Sequence, residues 1–253
     1  MKKSLKRGGI VNLFRKQQRK RKSKTLKVKP KKGIQKYEVN LANLPLIIPN
    51  ENGDFVLGKK YLHKEGNIYT LYLKSGLFEN DIEVSEFDTV TNETTFEYCR
   101  FFADFTMDNK LKKSRICYLG LGLGTQGMEM SKYPDVDRID YVDLDSDSFR
   151  FLHTGFPVIS PKIHFYETDA ESFLKSSRDS LQEGYDIVMD DVFTDTKVFL
   201  DYELVASCIV KGGYLFINLH YLRDYYKIED MLRRLFKHVA YYEKNSICVV
   251  CQK

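Results

Sequence analysis

Residues 116–145 read ICYLGLGLGTQGMEMSKYPDVDRIDYVDLD. Ile116, Cys117, Tyr118 and Leu119 form a short apolar run that suits a buried parallel strand. Gly120, Gly122 and Gly124 follow at alternate positions, where a bare backbone can turn sharply and approach a ligand. Thr125 to Tyr133 is predicted to be a helix whose first amides point into that turn. A second apolar strand, Ile139 to Val142, ends on Asp143, and an acid at that place suits the two hydroxyls of a ribose. The stretch therefore predicts strand, glycine turn, helix, strand and acid, a cradle for a nucleoside. A dinucleotide fits less well. Counted from Gly120 the third glycine of G-x-G-x-x-G falls on Thr125, and counted from Gly122 it falls on Gly127, one step late in the turn.

Working outward, the strand–helix alternation continues to the end of the chain, the pattern of a parallel sheet covered on both faces. Residues 162–167 and 185–190 (YDIVMD) are predicted strands, the latter closing on the acid pair Asp190 and Asp191. Thr168-Asp169-Ala170-Glu171 reads as a capping box for a helix over 169–176. A helix is expected over 196–210, stopped by Gly212-Gly213, then a strand over 214–219 and a helix over 224–239. The chain closes on a strand, SICVVC, with almost no linker before it, which requires an antiparallel pair. The expectation is an α/β protein: a Rossmann-like, seven-stranded sheet of the Class I methyltransferase type, last strand antiparallel. Residues 37–92 switch to a period of two, with turn signals at Gly76 and Asn80-Asp81, and predict a small antiparallel annex of two to four strands. Residues 95–107 predict a short aromatic-rich helix.

Charge divides the chain. Residues 1–36 hold 16 Lys or Arg and no acid, while the other 217 residues hold 24 basic and 35 acidic groups, a net of −11. So lopsided an arm cannot bury enough apolar surface to fold, and disorder is expected there. It suits contact with nucleic acid or another polyanion through residues 2–36, or a nuclear address. Expected domains are the arm (1–36), a β-rich unit (37–108) and a nucleoside-binding catalytic unit (109–253). Five unpatterned cysteines indicate a reducing, intracellular and cytoplasmic setting, and Cys248 and Cys251 should face opposite sides of a strand. No apolar run approaches the length of a transmembrane helix, and no metal-ligand spacing appears. His153, His164, His220 and His238 are scattered and receive no role.

In an open α/β sheet, ligands bind beyond the carboxyl ends of the strands. Asp143, Asp169 and Asp191 lie just past three such ends. Asp190 and Asp191 repel one another, so one of them gains from a cation partner.

These residues resemble the spermidine synthase family of polyamine aminopropyltransferases, over about residues 55–252. TNETTFEYCRFFADF is similar to the family's segment F-x-Y-(H/Q)-E-M, and GLGLGTQG to its G-G-G-D-G-G. YVDLD is similar to E-I-D, TDAESFL to G-D-(A/G)-x-x-F-L, and YDIVMDDVFTD to Y-D-x-I-x-x-D. The resemblance implies that Asp143 holds the ribose hydroxyls and that Asp169 and Ala170 bracket the adenine. It implies that Asp191 orients and deprotonates an attacking amine supported by Tyr98. It further implies decarboxylated AdoMet or AdoMet as co-substrate, no metal, a place in polyamine biosynthesis, and a homodimer formed through the annex. The sequence departs from the pattern where Leu123 replaces the loop acid, Cys99 and Arg100 replace (H/Q)-E, and Thr94, Thr95 and Thr194 replace acids. Arg100 beside Tyr98 is expected to repel a polyamine. Two alternatives stand beside aminopropyl transfer: AdoMet-dependent methyl transfer, including onto nucleic acid, and a catalytically inactive binding protein of this fold.

Overall fold

The computed structural model describes residues 37–40, 47–74, 81–91, 93, 94, 96–120, 122–144, 146–155, 159–180, 184–192 and 199–253. The basic arm, the turn at Gly76 and Asn80, Thr95, Thr194 and the start of the helix expected from Thr196 lie outside them.

Strands β1 (Phe55–Leu57), β2 (Lys60–Glu65), β3 (Ile68–Leu73) and β4 (Ile82–Asp88) form an antiparallel sheet in sequential order. Alternation turns Leu62, Tyr69, Leu71 and Phe87 inward. Directly opposed Tyr61 and Tyr72 stack, as do Tyr69 and Phe87, and such cross-strand pairs are worth about 0.2–1 kcal/mol each.

The larger sheet follows, built from α1 (Glu97–Asp108), β5 (Arg115–Leu119), α2 (Thr125–Met130), β6 (Arg138–Asp143), α3 (Ser146–Gly155) and β7 (Ile163–Glu167). It continues with α4 (Ala170–Ser180), β8 (Tyr185–Asp190), α5 (Tyr202–Ser207), β9 (Ile209–Leu219), α6 (Leu222–Leu235), β10 (His238–Glu243) and β11 (Ile247–Gln252). The strand order is β10-β11-β9-β8-β5-β6-β7. β11 runs antiparallel to both neighbours, because only residues 244–246 separate it from β10. This is the seven-stranded sheet expected for a Class I methyltransferase fold.

Both faces of the sheet are buried, as its apolar strands require. Cys117, Leu119, Val188 and Ile217 meet Phe173, Leu204, Ile228 and Leu232 of α4, α5 and α6. Ile116, Tyr118, Met189 and Phe216 meet Phe102, Met130 and Phe149 of α1, α2 and α3 in a cluster that also takes in Leu62, Leu71 and Phe87 of the small sheet. Cys248 and Cys251 fall in different clusters, as the strand period requires. All five cysteines are buried free thiols. No helix among the described residues is long and apolar enough to cross a membrane.

Four local expectations are corrected. α2 ends at Met130, before Tyr133; the residue preceding a proline, here Pro134, avoids helical geometry. Ile209 and Val210 belong to β9, and Ile209 pairs with Tyr185. Gly212 and Gly213 serve a register shift in β9 instead of stopping a helix: Gly212 has φ +80°, and a Cβ on Gly213 would lie 2.8 Å from the Asp186 carbonyl oxygen. Val239 lies in β10, opposite Cys251.

The capping box is also corrected: it is displaced by one residue. Asp169 is the cap of α4, its Oδ1 accepting the Ser172 amide at 2.8 Å. Glu171 instead accepts the Asp201 amide at 3.2 Å. Partial burial pushes the Asp169 carboxyl up, but hydrogen bonds from Ser172 outweigh it and hold the group below the usual carboxylate value. The cap therefore stabilises the fold above the unfolded-state value and is lost as pH falls through the lower folded one. Asp169→Ala is expected to cost about 1 kcal/mol at neutral pH, with the difference vanishing in strong acid. Denaturant unfolding of both proteins across pH measures this.

Candidate functional site

β8 is buried throughout and delivers Asp190 and Asp191 to the carboxyl edge of the sheet. Successive residues of an extended chain face opposite sides, and this separates the two acids. Asp190, 1 % exposed, turns toward α5, where Oδ2 accepts the Tyr202 hydroxyl at 2.7 Å and Oδ1 the Val192 amide at 3.2 Å. Asp190 is thus held by a phenol donor. Tyr202→Phe removes a donor from a buried carboxylate and is expected to destabilise the protein by about 1–3 kcal/mol. The denaturation midpoint reads that loss, and ligand affinity should not change.

Asp191 turns the other way. The Tyr98 hydroxyl donates to its Oδ2 at 3.0 Å, and Asn218 Nδ2 donates to its Oδ1 at 2.8 Å. Tyr98 comes from α1 and Asn218 from β9, so three elements fix one carboxylate. Burial, and then the Asp191 charge, push the Tyr98 phenol well above its ordinary value, so it stays a donor. The neighbouring Cys99 thiol is pushed up to about 12 by burial and the same carboxylate, and is neutral.

The glycine turn abuts this acid. Gly120, Gly122 and Gly124 have φ of +88°, +51° and +64°. A Cβ on Gly120 would lie 2.5 Å from the Asp191 carbonyl oxygen, while the Asp191 amide donates to Leu119 O at 2.9 Å. Behind the turn, the buried Tyr141 hydroxyl accepts the Gly127 amide at 2.6 Å and donates to Gly124 O at 2.7 Å. Leu123 is wholly buried in the core, so it neither blocks the bend nor presents charge there.

Two spaces meet at Asp191. Over the glycines is a recess of about 20 Å³ walled by Ser85, Tyr98, Cys99, Gln126, Met189 and Asp191. Beside it is a cavity of about 320 Å³ walled by Glu83, Phe96, Tyr98, Asp191, Asn218 and His220. Tyr98, Gly122 and Asp191 line both. Burial, then the charge of Glu86, raises the Glu83 carboxyl above its ordinary value. Arg100 lines neither space: it is exposed, and its Nε donates to the Thr94 carbonyl at 2.7 Å. The expected repulsion between Arg100 and a cationic ligand is therefore removed.

The structure thus brings together Asp191, Tyr98, Gly120, Gly122 and Gly124. Asp143, Asp169 and Ala170 share the same sheet edge but line neither space. Asp143 ends β6, and its carbonyl accepts the Thr168 amide at 3.0 Å, which ties it to the turn carrying Asp169 and Ala170. At one strand spacing each, they stand about 5 and 10 Å along the sheet from the glycine turn. Sequence reasoning missed Gln126, Ser85, Glu83, Asn218 and His220. The alternation in β4 marks a half-buried strand but not what its faces meet. Asn218, a polar residue inside the apolar run YLFINL, was the one readable signal.

No protein-family model matches the chain, and no curated protein matches it. Among solved structures, the chain is similar to a probable spermidine synthase from Corynebacterium glutamicum, covering 80% of each chain with a TM-score of 0.63 and 17% identity. It is also similar to the spermidine synthase from Thermotoga maritima, covering 76% of this chain and 72% of that one, with a TM-score of 0.52 and 13% identity. Likeness at these identities is likeness of fold.

Proposed function

We propose that this chain of spermidine synthase-like, methyltransferase-type fold is a transferase that moves the three-carbon, aminopropyl-type chain of a sulfonium nucleoside onto the nitrogen of a polyamine-type amine. The donor is decarboxylated AdoMet or AdoMet. One observation carries the reading: Asp191, fixed between the Tyr98 hydroxyl and the Asn218 amide, is a shared wall of the recess over the glycine turn and of the larger cavity. A carboxylate at such a junction can take a proton from an amine on one side while the electrophilic carbon waits on the other. The amine lone pair forms the N–C bond, the C–S bond breaks with its electrons passing to sulfur, and methylthioadenosine leaves as a neutral thioether.

Glu83 and Asp191 give the larger cavity two carboxylates, which suits a dication. The donor's chain would enter the recess, and its adenosine would extend outward along the sheet edge, with Asp143 on the ribose hydroxyls and Asp169-Ala170 against the adenine. Residues 2–36, outside the described residues, would add contact with a polyanion such as nucleic acid.

Methyl transfer from AdoMet is the second reading. The burial of Leu123 supports it, because the turn offers no acid of its own to hold the ammonium group that is the sole anchor of a decarboxylated chain, whereas AdoMet brings a carboxylate as a second anchor. Thermal melting with methylthioadenosine, AdoMet and decarboxylated AdoMet tests the shared premise. At about 100 times Kd, a ligand of the native state adds about 2.7 kcal/mol, a rise of several degrees in Tm. No shift with any of the three would reduce the chain to an inactive binding protein of this fold.

A further inference from the structure

We propose that Gln126 selects a donor whose three-carbon chain still bears its carboxylate, so that the group transferred is 3-amino-3-carboxypropyl, from AdoMet itself. The inference rests on the reading that this site moves the three-carbon chain; what it adds is the identity of that chain.

The two donors differ at one place. The decarboxylated chain ends in an ammonium group and needs acceptors. The intact chain adds a carboxylate and needs donors. Among the residues walling the recess, Asp191 is the one carboxylate, and its oxygens already accept from Tyr98 and Asn218. Leu123, at the centre of the turn, is buried in the core. Cys99 is a neutral thiol. Both donors carry an ammonium group, but the decarboxylated chain has nothing else to anchor it, and here it would meet no acid beyond the one that the chemistry employs.

A donor, by contrast, stands ready. Gln126 lies in the buried first turn of α2 and is 8% exposed, and its Nε2 has no hydrogen-bond partner among the described residues beyond the weak acceptor of the neighbouring Cys99 thiol. Leaving such a donor unsatisfied in the interior is costly, a cost that a ligand oxygen relieves. The recess, at about 20 Å³, has room for a water-sized group such as a carboxylate oxygen, and for no ring. The step stays balanced. The amine nitrogen bonds to the carbon next to sulfur, that C–S bond breaks with its electron pair going to sulfur, the amine proton passes to Asp191, and methylthioadenosine is released.

Titration calorimetry with AdoMet and with decarboxylated AdoMet tests the proposal without requiring turnover. The native protein should bind AdoMet about tenfold more tightly, a difference of about 1.4 kcal/mol. Gln126→Glu keeps the shape, replaces the donor by an anion, and should reverse the order. Gln126→Leu should lose the preference without gaining affinity for the decarboxylated donor, and it covers the case in which the Glu variant misfolds. Equal or tighter binding of decarboxylated AdoMet by the native protein overturns the assignment of Gln126 and leaves the transfer reading standing. So does a ratio that neither substitution moves. Binding of neither nucleoside overturns both.

Discussion

Asp191→Asn lowers transfer by about 10³-fold, within the range for loss of a general base, and leaves nucleoside affinity within a factor of about three. The substitution keeps the volume and removes the charge. Tyr98 and Asn218 both donate to this carboxylate. An amide has a single acceptor oxygen, so one of the two donors then faces an NH₂ group, and the variant also loses about 1–3 kcal/mol of stability. The affinity is expected to survive because the proposed pose sets the adenosine along Asp143 and Asp169, one to two strands beyond the glycine turn. Single-turnover rates separate the chemical step from binding. Retention of more than a tenth of the rate would remove Asp191 from the role of base.

Gly120→Ala has the largest structural effect. The native φ of +88° costs a side chain about 1–2 kcal/mol. The new Cβ would in addition stand 2.5 Å from the carbonyl oxygen of Asp191 and 2.9 Å from its carbonyl carbon. Neither backbone can swing away freely, since the Gly120 amide donates to Val142 O and the Asp191 amide to Leu119 O, each at 2.9 Å. A total of about 3 kcal/mol or more is expected, with transfer falling in parallel as Asp191 shifts. Gly212→Ala provides the comparison: its φ is +80°, but its Cβ meets nothing within 4 Å, so the backbone strain of about 1–2 kcal/mol acts alone. Equal losses for the two variants would show that the contact with Asp191 carries no weight.

The parallel sheet was legible because its strands are short apolar runs spaced by helix-length segments, a pattern that few other folds share. The acids at the strand ends were legible for the same reason, since the end of a run places a residue at the sheet edge. What the pattern could not resolve was direction. Asp190 and Asp191 are adjacent and chemically identical in the sequence, and only the pleat assigns one to Tyr202 and the other to Tyr98. Arg100 looked hostile to a cation until α1 turned it onto the Thr94 carbonyl. Glu83 and Ser85 alternate with apolar neighbours as any half-exposed strand does, and their facing the site depends on how the small sheet sits over the glycine turn. Gln126 falls inside a helix start that reads as ordinary. Its importance lies in a missing partner, which no local pattern encodes. The boundary errors have a similar origin: Ile209 and Val210 fit a helix or a strand equally well, and pairing with β8 decides between them.

The nucleoside released during turnover tests the account most directly. Incubation with AdoMet or decarboxylated AdoMet and a panel of di- and polyamines, followed by separation of the adenosine-containing products, distinguishes cleavage on the two sides of sulfur. The account expects methylthioadenosine, formed in step with an amine that has gained a three-carbon chain. S-adenosylhomocysteine with a methylated acceptor, or no nucleoside product from any pairing, would contradict it.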